Sequence, residues 1–177
     1  MRKVNCNGIT WKNIATLVLA VAATVTVIRN APANDEAIFP MPGGKTYLTE
    51  CGSCHTAYAP GFLPARSWRK MMSELDRHFS EDASLDEPQH LDILKNLELL
   101  AADNVQANRR MRRINSAIAA NATPQRITET GYFKFIHDEV RPSIWQRKKI
   151  GSLSNCVACH IRANEGRYGE REIRIPQ

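Results

Sequence analysis

The chain has 177 residues, 43% of them hydrophobic and 7% aromatic, with 24 basic and 18 acidic side chains and a formal net charge of +6. That balance would suit a nucleic-acid binder, but Arg2, Lys3, Lys12 and Arg29 all fall in the first 33 residues, which hold no acid. The remainder carries 24 − 4 = 20 basic against 18 acidic residues, net +2, so a nucleic-acid function loses its main electrostatic support.

The first 33 residues read as an export segment. The basic stretch "MRKVNCNGITWK" precedes the apolar run "NIATLVLAVAATVTVI" and then Ala31-Pro32-Ala33, which is similar to a small-residue cleavage site. The run from Ile14 to Ile28 is short for a spanning helix of about 20 residues and long for the core of a signal. Cleavage after Ala33 is the expected outcome and an uncleaved N-terminal anchor is the alternative; in both cases the rest of the chain faces the periplasm. Cys6 precedes the apolar run and receives no role.

The remaining 144 residues suit one ordinary domain or two small ones, and the apolar pattern is helical nearly throughout, so the expected fold is all-α. "GGKTYLTECGSCH" reads as two glycines followed by a helix, and "YAPGFLPARSW" as an irregular loop. Ser67 is placed to cap "WRKMMSELDRHF", in which Trp68, Met71, Met72, Leu75 and Phe79 follow the 3.6-residue period. "SEDAS" breaks that pattern. Asp86 is placed to cap "EPQHLDILKNLELLAA", with Pro88 in its first turn, and a third helix, "VQANRRMRRINSAIAA", carries Met111, Ile114 and Ile118 on one face and arginines on the other. "NATPQ" at 121–125 is the best internal boundary, after which "TETGYFKFIHDEV" and a Pro142 turn lead to "GSLSNCVACH".

Four of the five cysteines lie in two copies of one pattern, Cys51–Cys54–His55 in "CGSCH" and Cys156–Cys159–His160 in "CVACH". At the chain's own Cys and His frequencies, shuffling yields such a CxxCH about 0.004 times per sequence. A redox dithiol has no use for the histidine twice. A zinc ribbon keeps its cysteine pairs within about 15–20 residues, far closer than Cys54 is to Cys156. Covalent attachment of haem c uses every residue of the motif: both thiols become thioethers and the adjacent imidazole binds the iron. The pattern therefore points to two haem c groups, with Cys51, Cys54, Cys156 and Cys159 as attachment points and His55 and His160 as proximal iron ligands. Haem c is attached outside the cytoplasmic membrane, in keeping with the export segment. Two haems also supply core that so short a chain otherwise lacks.

The second ligand of each iron comes from His78, His90, His137, Met41, Met71, Met72 or Met111. Seventeen residues follow His160 and none is Met or His, so the second haem draws its ligand from upstream, where His137 is the one candidate in the C-terminal segment. At the first haem the choice stays open. His78 lies at the edge of its helix's apolar arc, and His90 lies nearer the middle of its own but in a first turn, where capping and surface roles are common. Met111, like Met71 and Met72, has simple core packing as its ordinary role.

The blocks "ECGSCHTAYAPGFLPARSW", "HFSEDASLD", "ITETGYFKFIHDEV", "GSLSNCVACH" and "IRIP" together resemble the dihaem cytochrome c family, from about Met41 to Pro176. The resemblance implies an N-terminal haem domain similar to a monohaem cytochrome c, residues 34–122, and a smaller C-terminal haem domain, residues 123–177. It also implies bis-histidine ligation of both irons, with His78 and His137 as the second ligands; domain membership assigns His78 to the haem of His55 and His137 to that of His160, an exchange between the halves being the alternative. His90 matches no ligand position. Ser80 departs from the family, which more often has Gly there, and is expected to matter little.

Two imidazoles on one iron make it six-coordinate and low-spin, which favours electron carriage over catalysis and gives a lower potential than His/Met ligation. The family further implies a high-spin, oxygen-binding monohaem cytochrome, the sphaeroides haem protein type, as acceptor and a membrane cytochrome b as donor. The competing reading is a dihaem peroxidase, reductase or gas sensor with one open iron site. Arg66, Arg174 and the group Arg109, Arg110, Arg112 and Arg113 are candidates for haem propionates or partner docking, or else form a solvated face. Tyr47, Trp68, Tyr132 and Phe133 are expected to pack around haem.

Overall fold

A pair of glycines before the first helix and a proline at the start of the second set the pattern of this chain, in which short helices are separated by irregular stretches. The computed structural model describes residues 38–177; the export segment expected over residues 1–33 lies outside the described residues. Six α-helices are present among them: α1 Thr46–Gly52, α2 Ala65–Met72, α3 Glu87–Leu99, α4 Arg109–Ser116, α5 Gly131–Ile136 and α6 Pro142–Trp145. Short 3-10 turns link them, and β pairing is limited to isolated bridges among these residues, so the fold is all-α as expected. No helix among the described residues is long and apolar enough to cross a membrane.

Local chemistry explains where the helices start. Asn108 caps α4, its side chain accepting a hydrogen bond from the Met111 amide at 3.0 Å, and this cap begins the helix four residues later than the hydrophobic pattern suggests. Thr130 caps α5 by accepting from the Phe133 amide at 3.3 Å. Pro88 occupies the first turn of α3, where its missing N–H costs nothing. The second helix departs from expectation. Pro64, not Ser67, stands at its N-cap position, Ser67 is buried within the helix, and the helix ends at Met72. A separate 3-10 turn, Leu75–Arg77, follows, so His78 lies beyond the helix and its assigned helical phase does not apply.

Packing follows two apolar clusters. In one, Tyr47 of α1, Leu63, Trp68 and Met72 of α2, and Ile93 and Leu97 of α3 come together. The Trp68 indole donates to the Pro60 carbonyl at 2.8 Å, which lets a large polar-tipped ring be buried without cost. In the other, Phe39, Ala59, Met111 and Ile114 of α4, and Tyr132 of α5 pack together. Arg66 joins the connections between the helices: its guanidinium donates to the carbonyls of Ala122 at 2.7 Å and Ala119 at 3.0 Å and pairs with Asp103 at 3.8 Å. Those partners give Arg66 a structural role in joining the helices.

The two ends of the described chain meet at a glycine. The Phe39 amide donates to the Gly166 carbonyl at 2.8 Å, Gly166 has φ +72°, and a Cβ there would lie 2.0 Å from the Phe39 carbonyl oxygen. A second left-handed stretch follows the Leu75–Arg77 turn. The Glu81 amide donates to the His78 carbonyl at 3.0 Å, with Phe79 at φ 51° and Ser80 at φ 81° between them. Two consecutive positive φ angles closed by this bond define a type I′ turn, whose central positions favour Gly and Asn. Ser80 therefore stands where glycine is the natural occupant, and its departure from the family carries a conformational cost that the sequence did not reveal.

Replacing Ser80 with Gly is expected to stabilise the holoprotein by about 0.5–1 kcal/mol, because relief of left-handed strain exceeds the entropy gained by the unfolded chain. Thermal unfolding monitored at a haem absorption band measures it, and an unchanged or lower midpoint contradicts the turn geometry. Gly166→Ala is expected to cost about 2 kcal/mol or more in the same assay, from the left-handed φ and the clash together.

Candidate functional site

The first CxxCH begins inside α1 and runs off its end. Cys51 lies in the last turn of the helix, and Cys54 and His55 fall in the irregular chain beyond it. The Nδ1 atom of His55 is 2.8 Å from the Thr56 carbonyl oxygen. A carbonyl only accepts, so Nδ1 carries the proton and Nε2 keeps a free lone pair. Across from it stands His78, with ring centroids 6.0 Å apart and planes inclined by 23°. Burial, then the nearby His55 and Arg126, lowers the proton affinity of His78. Tyr58 stacks on His55 at 5.1 Å, and Phe79 meets His78 edge-on at 4.8 Å.

The second CxxCH forms a tight turn of its own. The amides of Cys159 and His160 both donate to the Cys156 carbonyl, at 3.2 and 2.8 Å, and the Arg174 amide donates to the Cys159 carbonyl at 2.8 Å. Backbone pairing thus accounts for the position of "IRIP" beside the motif, while the Arg174 guanidinium is occupied by the carbonyls of Arg171 at 3.0 Å and Ile173 at 2.7 Å. His137 sits at the C-cap of α5 with Nδ1 2.9 Å from the Phe133 carbonyl, which again leaves Nε2 free. Phe133 stacks on it at 4.1 Å and Trp145 of α6 lies 5.8 Å away. His160 faces His137 at 6.1 Å with planes at 86°. Burial, followed by the neighbouring His137, pushes the His160 imidazole down to about 4, so it is neutral at physiological pH.

Each pair leaves room for one metal atom. An imidazole nitrogen binds such a metal at about 2.0–2.1 Å, and two rings on opposite sides of it have centroids roughly 6–6.5 Å apart. Both separations fall at that value, and the buried Nδ1 of His160 has no hydrogen-bond partner. Burial pushes the thiols of Cys51 and Cys156 up to about 11, opposite to the lowered value of a reactive dithiol. Among the described residues no three His, Cys, Asp or Glu side chains converge as a bare metal ion would need. The two histidines and two cysteines at each centre suit a metal whose remaining ligands come from a macrocycle.

The competing ligands are otherwise engaged. Nε2 of His90 is 2.9 Å from the Met72 carbonyl and so carries a proton rather than a free lone pair. Met72 and Met111 are buried in the two apolar clusters, with Met71 and Met41 packed against them. Of the expected haem-packing aromatics, Phe133 lies at a histidine, Tyr47 is buried beside Cys51, and Trp68 and Tyr132 belong to the core. The four arginines of α4 are exposed; Arg110 donates to the Tyr132 hydroxyl at 3.3 Å and Arg112 to the Ala107 carbonyl. Sequence reasoning missed Tyr58, Trp145 and Tyr168, the last 5.3 Å from His160. Tyr58 also joins the centres, because its hydroxyl donates to the Ser154 carbonyl at 2.8 Å, two residues before Cys156. Both motifs border one cavity of about 340 Å³ lined by Gly52, His55, Val157 and Asn164 among others.

Comparison with known proteins shows which family the chain resembles. The sequence model of the family described as dihaem cytochrome c matches residues 47–168. Two solved structures of the diheme cytochrome c of Rhodobacter sphaeroides are 41% and 40% identical. They cover 75% and 73% of this chain and 100% of their own, with TM-scores of 0.64 and 0.58. A diheme cytochrome type c from Shewanella baltica OS155 is 34% identical, covers 77% of this chain and 95% of its own, and has a TM-score of 0.61. Among curated proteins no relative matches. With two CxxCH motifs, an all-α fold and these likenesses over most of its length, the chain belongs to the dihaem cytochrome c family, electron-transfer proteins that carry two covalently bound haem c groups.

Proposed function

We propose that this cytochrome moves electrons through two saturated bis-histidine haems, attached at Cys51 and Cys54 and at Cys156 and Cys159, with His55 and His78 on one iron and His137 and His160 on the other. One observation carries this reading: each motif histidine faces a second histidine at 6.0 or 6.1 Å. Each haem supplies a one-electron ferric–ferrous couple, and the chain's residues decide how that couple is used. The carbonyls of Thr56 and Phe133 hold His55 and His137 in the tautomer that offers Nε2. Burial keeps His160 neutral. Phe133 and Trp145 pack on His137, so its ring moves little when the charge at its nitrogen changes. Two irons each held by two of these histidines would leave no place for an exogenous ligand, which favours carriage over oxygen or peroxide chemistry.

The same reading includes location, organisation and partners. Export by the N-terminal segment places the protein in the periplasm, with membrane contact only if that segment stays uncleaved. Residues 34–122 and 123–177 serve as N- and C-terminal haem domains, since each segment carries one CxxCH and its own second histidine. The acceptor we assign is a high-spin, oxygen-binding monohaem cytochrome of the sphaeroides haem protein type and the donor a membrane cytochrome b, both by family likeness.

Ferric holoprotein is expected to give two distinct low-spin EPR signals, with the greater g anisotropy at the second centre. Crossed imidazole planes act equally on the two iron orbitals they overlap, whereas nearly parallel planes split them, and the inclinations are 86° and 23°. The ferrous form is expected to bind no carbon monoxide; a high-spin signal, a methionine–iron band or rapid carbon monoxide binding contradicts bis-histidine ligation and favours a peroxidase, reductase or gas sensor. His137→Ala and His78→Ala are each expected to open one iron, so that about half of the haem in either variant binds carbon monoxide while the other half keeps its parental spectrum.

A further inference from the structure

The type I′ turn after His78 holds two non-glycine residues in left-handed conformation, Phe79 at φ 51° and Ser80 at φ 81°. Such a turn relaxes unless its surroundings over-determine it. Burial is not what holds it, because Phe79 is 42% exposed. The contacts of the Phe79 ring are specific instead: one face lies 4.1 Å from the Arg126 guanidinium carbon, and the ring meets His78 edge-on at 4.8 Å. A guanidinium at that distance over a phenyl face is a cation–π contact. Arg126 is itself well placed to hold. It stands at the N-cap of the 3-10 turn Ile127–Glu129, pairs with Glu129 at 3.6 Å, and is flanked by Gln125, whose amide donates to Glu74 at 3.0 Å.

We infer that Arg126 is a positioning residue for the second ligand of the first haem: its contact with Phe79 keeps the strained Phe79–Ser80 turn closed and His78 in line with His55. The inference rests on the bis-histidine reading and deepens it, since it places control of one ligand in the C-terminal segment, eleven positions before the ligand of the other haem. It also separates the two centres physically. His137 is held by a backbone carbonyl and two aromatic rings, whereas the ring nitrogens of His78 have no such carbonyl partner, and its loop adds the Arg126–Phe79 contact to the backbone bonds from Glu81 to His78 and from Ala83 to Leu75. The first haem is therefore the one whose ligand yields.

The test uses reduced holoprotein and follows carbon monoxide uptake together with the high-spin fraction of the ferric EPR spectrum. Arg126→Gln and Phe79→Leu are each expected to raise the uptake rate at one of the two haems about two- to fivefold over the parent, a range set by the usual strength of the contact at an exposed site. The double variant is expected to show no more than either single change, and Arg126→Lys less than Arg126→Gln. Adding Ser80→Gly to Arg126→Gln is expected to bring uptake back toward the parent, because it removes the strain instead of the fastening. A folded, low-spin Arg126→Gln with parental uptake and spectra overturns the inference and leaves bis-histidine ligation intact. An effect of Arg126→Gln without one of Phe79→Leu also overturns it, since the arginine would then act on another group. If Arg126→Gln does not incorporate haem, Phe79→Leu and Arg126→Lys decide the matter by the same readings. Rapid uptake by the parent overturns both this inference and the bis-histidine reading.

Discussion

Each centre depends on two histidine rings held about one metal atom's width apart. At 6.0 and 6.1 Å between centroids, the rings have the spacing that two imidazoles sharing one iron would need. Holding them there needs the right tautomer as well as the right distance. In His55 and His137 a backbone carbonyl takes the Nδ1 proton, which leaves the outer nitrogen ready to coordinate. The same rule excludes His90, whose outer nitrogen is committed to a carbonyl. A single hydrogen bond thus leaves Nε2 open in His55 and His137 and engages it in His90.

The rest of the fold serves that placement with little material. Helices of four to thirteen residues are too short to be stable alone, so they are defined by caps, prolines and packing. Both motifs sit where regular structure stops, at the end of α1 and in a 3-10 turn. The cost appears as local strain at Phe79 and Ser80 and as the close approach at Gly166. The two segments of the chain are also fastened to each other. Tyr58 reaches Ser154, Phe39 pairs with Gly166, and Arg126 covers Phe79.

Much of this was readable in the order of residues. The paired CxxCH motifs indicate haem c because each residue has a covalent or coordinating duty, and the lack of Met or His after His160 directs attention to His137 by elimination. His78 was harder. Its apolar neighbours follow a helical period through Phe79, yet the helix stops at Met72 and a left-handed turn aims the ring. Local pattern cannot show such a turn when it contains Phe and Ser in place of Gly. Arg66 illustrates another contact no local pattern shows: its guanidinium joins the carbonyls of Ala119 and Ala122 and the carboxylate of Asp103.

What the sequence by itself determined is the chemistry: two haem c groups, their attachment residues, an all-α fold and a short set of ligand candidates. Those follow from covalent requirements that depend on spacing of a few residues along the chain. Which histidines meet, which arginine lies over Phe79 and which tyrosine reaches Ser154 were decided only by the tertiary structure. These contacts link residues up to 96 positions apart, as between Tyr58 and Ser154, and no local period encodes a separation that arises when irregular segments are packed together.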